Sequence, residues 1–323
     1  MTGAVTALSL AVLAGCGPAT TAKSSHHTHK TSTQTKTTSR KTGSGSTLGG
    51  ALGVIVENLP QARPLSGLSQ ADMVFEAPAE GGITRFLAIY WHGGVGQIGP
   101  VRSTRIYFDQ LAQAYGIPFA HAGGNVDALH AISPLGIQNL DQIYGSGPYF
   151  WRSSSRVAPH NLYTSTSLLM EGVHAKGYHL APVPSLPQGH LSQGPTAGQL
   201  HVDFSSTENV TWIYQNGRYT REEGSTPETT LAGRTIRARA VLVLVTPSSP
   251  DPDPYTPYSI KLQMTGTGSG WAAADGHVIP ITWSRSAGQP FQFFTQSHQS
   301  LRLPGTPLWL ELVPSAQNFS YGS

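Results

Sequence analysis

ADMVFEAPAEGGITRFLAIYW, Ala71–Trp91, sets two apolar runs on either side of a carboxylate and a Gly-Gly pair. Its first part, Ala71–Glu80, reads as a short strand. Ile83–Trp91 mixes alternating with continuous apolar residues, as an inner strand does. Upstream, GVIVENLP (Gly53–Pro60) reads as a buried strand ended by its proline. Downstream the period changes. Between Ser103 and Tyr115, Ile106, Tyr107, Leu111 and Ala114 share one helical face, Ser103 can cap it, and Gly116 with Pro118 ends it. IPFAHAGG (Ile117–Gly124) reads as the next strand, Asn125–Ile132 as a helix capped by Asn125, and Leu162–Lys176 as a third helix stopped by Gly177. Strands alternating with helices predict an α/β N-terminal domain over residues 48–185, a mixed sheet with flanking helices.

Prolines and glycines crowd Pro182–Pro195, so residues 186–195 are expected to form a linker. Beyond it helix signals vanish. VTWIYQ (Val210–Gln215), ARAVLVLVTP (Ala238–Pro247), YSIKLQM (Tyr258–Met264), HVIPITWS (His277–Ser284), FQFF (Phe291–Phe294) and LWLELVP (Leu308–Pro314) read as strands between turns. Residues 196–323 are therefore expected to form a mostly β C-terminal domain or layer. The chain shows no internal repeat and no CxxC, GxSxG, HExxH or P-loop pattern.

Only 11% of the 323 residues are charged, and Gly and Pro number 36 and 24, a composition of turns and short strands. The net charge of +3 is unevenly spread. Lys23, Lys30, Lys36, Arg40 and Lys41 fall in residues 17–47, which hold no acid, leaving the remainder at about −2. A nucleic-acid binder carries its basic surplus on the folded domain, so nucleic acid is excluded as a partner. Residues 17–47, mostly Thr, Ser, Lys and His, are expected to be a disordered linker. Its lysines suit an anionic membrane face, and His26, His27 and His29 lack the cysteines or carboxylates of a metal site.

MTGAVTALSLAVLAGC (residues 1–16) ends an apolar run in Leu13-Ala14-Gly15-Cys16, which resembles the bacterial lipobox, whose cysteine is diacylated and becomes the mature N-terminus. Cys16 is the only cysteine and a polar tail follows it. No basic residue precedes the run, a departure from the usual signal peptide. The resemblance implies a lipoprotein signal peptide, lipidation at Cys16, and a place on the outer face of the cytoplasmic membrane. No other segment approaches the ~20 apolar residues of a span.

In so sparingly charged a chain, the arginines of AEGGITRFLAIYWHGGVGQIGPVRSTR (Ala79–Arg105) stand out. Arg85, Arg102 and Arg105 are candidates for gripping a phosphate or carboxylate in bidentate fashion, or for pairing with Glu76, Glu80 and Asp109. Ser103 at a helix start and Gly123-Gly124 at a strand end would add backbone donors. Asp72 and Glu76, four apart on one strand, would face one side and could meet one metal ion. Glu80, beside a Gly-Gly turn, and His121 and His160 are candidate acid–base groups, and Asn161 could orient a ligand.

Several blocks together resemble the YerB-like bacterial lipoproteins, a two-part family of unknown function. They are VIVENLPQARPLSGLSQADMVFEAPAEGGITRFLAIY, IGPVRSTR, AHAGGNVDAL, RVAPHNLYTS, DGHVIPITWSR and WLELVP, in order from Val54 to Pro314. The resemblance implies a lipid-anchored extracytoplasmic protein with two family domains, and supplies no reaction. A fainter similarity, over about 70 residues, is to the LytR–CpsA–Psr phosphotransferases, which move glycopolymers from polyprenyl pyrophosphate carriers onto peptidoglycan. It rests on Ala71-Asp72-Met73-Val74, Pro100–Arg105 and Phe119–Gly124. It implies magnesium at Asp72 and a pyrophosphate held by Arg102 and Arg105. Ser103 stands where that superfamily commonly has an acid. Two readings follow: an anion-binding envelope lipoprotein, with phosphotransfer if the arginines and Asp72 converge, or a non-catalytic scaffold contacting envelope proteins if each is separately ion-paired. The partners implied are the membrane and a cell-envelope glycopolymer or lipid-linked phosphate.

Overall fold

The computed structural model describes residues 47–323; Cys16, the expected signal peptide and the tail up to residue 46 lie outside the described residues. Five strands belong to the first half: β1 (Thr47–Glu57), β2 (Met73–Pro78), β3 (Thr84–His92), β4 (Phe119–His121) and β5 (Asn139–Asp141). The second half contributes β6 (Gln199–Asp203), β7 (Asn209–Gln215), β8 (Arg218–Glu223), β9 (Ala240–Val245), β10 (Gly266–Ala274), β11 (His277–Arg285), β12 (Gln292–Thr295), β13 (Leu308–Val313) and β14 (Phe319–Gly322). The α-helices are α1 (Ile106–Tyr115), α2 (Val126–Ala131) and α3 (Thr166–Ala175). Among the described residues, no helix is long and apolar enough to cross a membrane.

Ten strands form the principal sheet, in the order β12-β11-β10-β9-β13-β2-β3-β1-β4-β5. The two halves of the chain thus share one sheet. β13 enters between β9 and β2, parallel to both. Its sequence LWLELV is buried at every position, which suits a central strand covered on both faces. β3 runs antiparallel between β2 and β1, and β4 and β5 continue parallel to β1. The carboxyl ends of β1, β2, β4 and β5 therefore share one edge of the sheet, where open α/β sheets commonly place ligands. A second, antiparallel sheet, β8-β7-β6-β14, lies entirely within the C-terminal part.

Alternation along the central strands decides which face each residue packs. Val54, Val56, Phe86, Ala88 and Trp309 share a core with Leu200, Val202 and Trp212 of the second sheet and with Leu169 and Val173 of α3. Ile55, Leu87, Ile89, Leu310 and Leu312 point the other way and pack under Tyr107, Phe108 and Leu111 of α1. Each such side chain contributes about 1.5–3 kcal/mol when fully buried.

Local details correct three expectations. Ser103 does not cap α1: its Oγ donates to Ala122 O at 2.9 Å, and the helix begins after Arg105. Thr104 stays extended because it bridges Gly124. Leu162–Tyr163 pair as a strand with Trp151–Arg152, so the third helix starts at Thr166, capped by Ser165 Oγ on Leu168 N. Asn125 precedes α2 without capping it; its amide donates to Asp251 and Ser259, while the Asp253 carboxylate accepts from Val126 N at 2.8 Å.

Candidate functional site

Glu57 closes β1 and sits opposite Arg85 of β3, so strand register alone brings a carboxylate and a guanidinium to the carboxyl edge of the sheet. Arg85 is buried, donates to Ser103 O at 3.2 Å, and forms an ion pair with Glu80. Arg105 binds the other oxygen of Glu80 and donates to Thr104 O at 2.6 Å. Burial alone would raise the Glu80 carboxyl, but Arg85 and Arg105 outweigh it and hold it below the usual carboxylate range. For Arg85, burial and the nearby charges of Arg105 and Arg102 lower the guanidinium to about 10, against the pull of Glu80. Three arginines thus face two carboxylates, Glu57 and Glu80, in a largely buried setting.

Arg102 differs from its two neighbours. Its side chain is 24% exposed and lies 3.1 Å from Glu57, yet no nitrogen of its guanidinium is aligned for a hydrogen bond among the described residues. His160 accompanies it from a loop, with Nδ1 at 3.0 Å from both oxygens of Glu57. Asn161 holds that loop: it accepts from Arg152 at 2.8 Å and donates to Ser153 O and Arg156 O. Asn161 is therefore a scaffold for the position of His160. Gly123 supplies the left-handed turn (φ 64°) after β4, and its N–H donates to Asp141 at 2.9 Å. A Cβ on Gly124 would come 3.0 Å from Thr104 Cγ2, so this turn packs against the arginine segment.

The remaining expected site residues lie apart. Asp72 precedes β2, where its carboxylate accepts from Trp91 N at 2.7 Å and His92 N at 2.9 Å and meets His92 Nδ1 at 2.6 Å. Trp91 and Arg85 are six residues apart on β3, roughly 20 Å at strand rise, so Asp72 is far from the arginines. Glu76 is fully buried, receives both hydrogen bonds of one Arg221 nitrogen at 3.0 Å, and accepts from Thr84 at 2.7 Å. Asp72 and Glu76 therefore have different partners and do not form the expected two-carboxylate metal site. No group of three potential metal ligands occurs among the described residues. His121 is fully buried, its ring nitrogens within 2.9 Å of Gly123 O and 2.8 Å of Asn139 Oδ1, and burial lowers its pKa. Burial favours the neutral ring, against the opposing pull of Asp141, Gly123 O and Asn139 Oδ1, and every one of these contacts is internal, so the histidine is structural.

A second charged cluster lies between the two sheets and, Glu76 apart, falls outside the residues expected to form a site. Arg221 of β8 is fully buried, clamps Glu76, pairs with Glu228, and lies over the rings of Phe86 and Trp309 at 5.4 and 5.6 Å. Glu311 of β13 accepts from Trp212 Nε1 at 2.9 Å. Burial and the Glu76 charge raise the Glu311 carboxyl well above its ordinary value. Burial, with Glu76 nearby, also raises Glu208 to about 7. Arg63 joins Glu208 at 2.9 Å and also pairs with Glu223. Acids inside two otherwise apolar strands, Glu76 in MVFEAP and Glu311 in LWLELV, are the signal that could have revealed it.

One large mixed sheet shared by both chain halves, flanked by a few helices and a second, antiparallel sheet, defines a mostly β protein rather than the two separate domains expected, with a charged cluster at the carboxyl edge of its first half. The chain matches the N-terminal domain of the DUF3048 family, a protein family of unknown function, over residues 37–179, and its C-terminal domain over residues 200–309. It belongs to that two-domain family. It is 38% identical over 161 residues to the Bacillus subtilis (strain 168) protein named "Putative lipoprotein YerB", and the chain spans about half the length of that relative, 48%, and 49% of its own. The crystal structure of YerB protein from Bacillus subtilis superposes with a TM-score of 0.75 at 28% identity, covering 84% of this chain and 93% of that one.

Proposed function

We propose that the protein is a lipid-anchored extracytoplasmic binding protein, tethered through Cys16 at the outer face of the cytoplasmic membrane, that holds an anionic cell-envelope ligand at Arg102 without turning it over. The observation that carries this reading is the part-exposed guanidinium of Arg102, whose Nε is ion-paired with Glu57 at 3.1 Å while its terminal nitrogens have no hydrogen-bond partner among the described residues, within a set of three arginines and two carboxylates. A planar fork with free donors suits a phosphate or carboxylate group. The ligand class is the lipid-linked phosphate or acidic glycopolymer of the envelope. The lipoprotein name of the relative supports the anchor.

Phosphotransfer is not part of the proposal. Magnesium-assisted transfer needs carboxylates free to hold the ion beside the phosphate, whereas Asp72 and Glu76 are held elsewhere by His92 and Arg221, and the two acids at the site are occupied, Glu57 by Arg102 and His160 and Glu80 by Arg85 and Arg105. The test is calorimetric titration with pyrophosphate and with a polyprenyl-pyrophosphate analogue. Binding that Arg102→Ala removes is expected; its absence with both probes overturns the reading. A scaffold role is favoured by a different feature, Tyr255 and Tyr258, which are 83% and 82% exposed on one turn and offer contact area to another protein.

A further inference from the structure

A cleft runs along the far edge of the principal sheet, opposite to β5, between the segment 185–193 and the hairpin that follows β12. It consists of adjoining cavities of about 540, 470 and 250 Å³. His190, Leu191 and Gln299 border the first two, and Pro187, Ser300 and Leu301 join the first to the third. Ligand sites commonly measure about 300–1,000 Å³. We propose that this cleft binds an uncharged glycan chain.

Three observations carry the assignment. First, no carboxylate and no lysine lines the cleft. Its one arginine, Arg302, already donates to Gln188 O at 3.2 Å. The lining thus offers one guanidinium and no acid, so most of its recognition surface is neutral. Second, the rim consists of side-chain amides and hydroxyls, including Gln193, Gln296 and Gln299, whose amides have no hydrogen-bond partner among the described residues, with Ser192 and Ser297 between them. Amides and hydroxyls both donate and accept, matching sugar hydroxyl and acetamido groups that do the same. The floor is apolar, built by Leu191, Leu301, Phe291 and Phe293, with the half-buried Phe294 presenting a ring on which a sugar face can lie.

Third, the backbone at this edge is already paired. Thr295 N donates to Gln299 O, Leu301 N to Phe293 O, Leu303 N to Pro187 O and Gly189 N to Leu303 O, at 2.9–3.0 Å. An extended peptide adding itself to a sheet needs free backbone donors and acceptors along the edge strand. The returning chain and the 187–189 segment occupy them. Recognition at this cleft therefore runs through side chains, which favours a glycan over a peptide strand.

The test uses the full chain and two probes, hexamers of β-1,4-linked N-acetylglucosamine and β-1,4-linked glucose, titrated calorimetrically against a Gly-Ser hexapeptide control. At least one hexasaccharide should bind and the peptide should not. The exposed substitutions Gln296→Ala with Gln299→Ala should weaken binding about tenfold, the equivalent of one or two net hydrogen bonds. Their thermal midpoint should stay unchanged, because neither side chain supports the fold. Arg102→Ala should leave saccharide binding intact, which separates this cleft from the anion site. No binding of either hexasaccharide at millimolar concentration, undiminished binding by the double variant, or binding of the peptide instead would each overturn the proposal.

Discussion

Replacing Arg221 with Met tests whether the charged junction between the sheets is held as described. The guanidinium is fully buried, grips Glu76 and Glu228, and lies over two aromatic rings. Met keeps the length and apolar contact of the stem but removes the charge and every donor, leaving Glu76 and Glu228 inside the protein without their cation. Breaking one side of a buried ion pair costs about 3–5 kcal/mol. For a protein of this size, that loss lowers the midpoint of thermal unfolding by about 6–20 °C. Urea unfolding followed by tryptophan fluorescence is a suitable assay, since Trp212 and Trp309 flank the site. Adding Glu76→Gln to Arg221→Met should restore part of the loss, because the double variant removes one of the orphaned charges. A loss below about 1 kcal/mol, or a double variant with losses that simply add, would refute the account of this junction.

Other outcomes follow from neighbouring groups. The carboxyl of Glu208 is raised to about 7, above its ordinary value of 4.5, so its contribution to stability is complete below about pH 4.5 and disappears as pH rises through 7. Glu208→Gln should flatten that part of the stability–pH curve, and an unchanged slope between pH 5 and 8 would contradict the assignment. Asp72→Ala removes the acceptor for Trp91 N and His92 N and should destabilise the protein by about 1–3 kcal/mol in denaturant titration while leaving ligand affinity unchanged. A loss of magnesium-dependent affinity in that variant would restore the metal reading. Ser165→Ala deletes the cap on Leu168 N and should cost about 1 kcal/mol by the same measurement.

Much of the first half of the sheet was legible because its strands announce themselves by apolar runs ended by Pro or Gly-Gly, and α1 because Gly116 takes the left-handed conformation that stops it. β10 is not legible: in GTGSGWAAA a single β-branched residue, Thr267, stands among glycines and alanines. Its small residues suit tight packing, since a Cβ on Gly270 would strike Val243 O at 2.3 Å. Nor could local pattern show that LWLELV crosses into the N-terminal sheet, because that pairing joins residues more than 230 positions apart. At the carboxyl edge, Arg85 and Arg105 meet Glu80 and Arg102 lies near Arg85, residues that fall within 26 positions of one another in the sequence. Glu57 escaped notice because it ends an apolar strand, and only register sets it beside Arg102 and His160. Alternation sets Asp72 and Glu76 on one side of a strand only if both lie in it, and Asp72 precedes β2 and is claimed by the backbone of β3.

The Arg102 site is proposed to bind an anion without turning it over. Its most direct measurement is a single calorimetric and product-release experiment on the full chain with a polyprenyl-pyrophosphate analogue, with and without magnesium. Wild-type protein should bind in both conditions, more weakly as salt rises, and Arg102→Ala should lose that binding while unfolding at the wild-type temperature. Phosphate release or transfer that depends on magnesium, or an Arg102→Ala variant that binds as tightly as the parent, would contradict it.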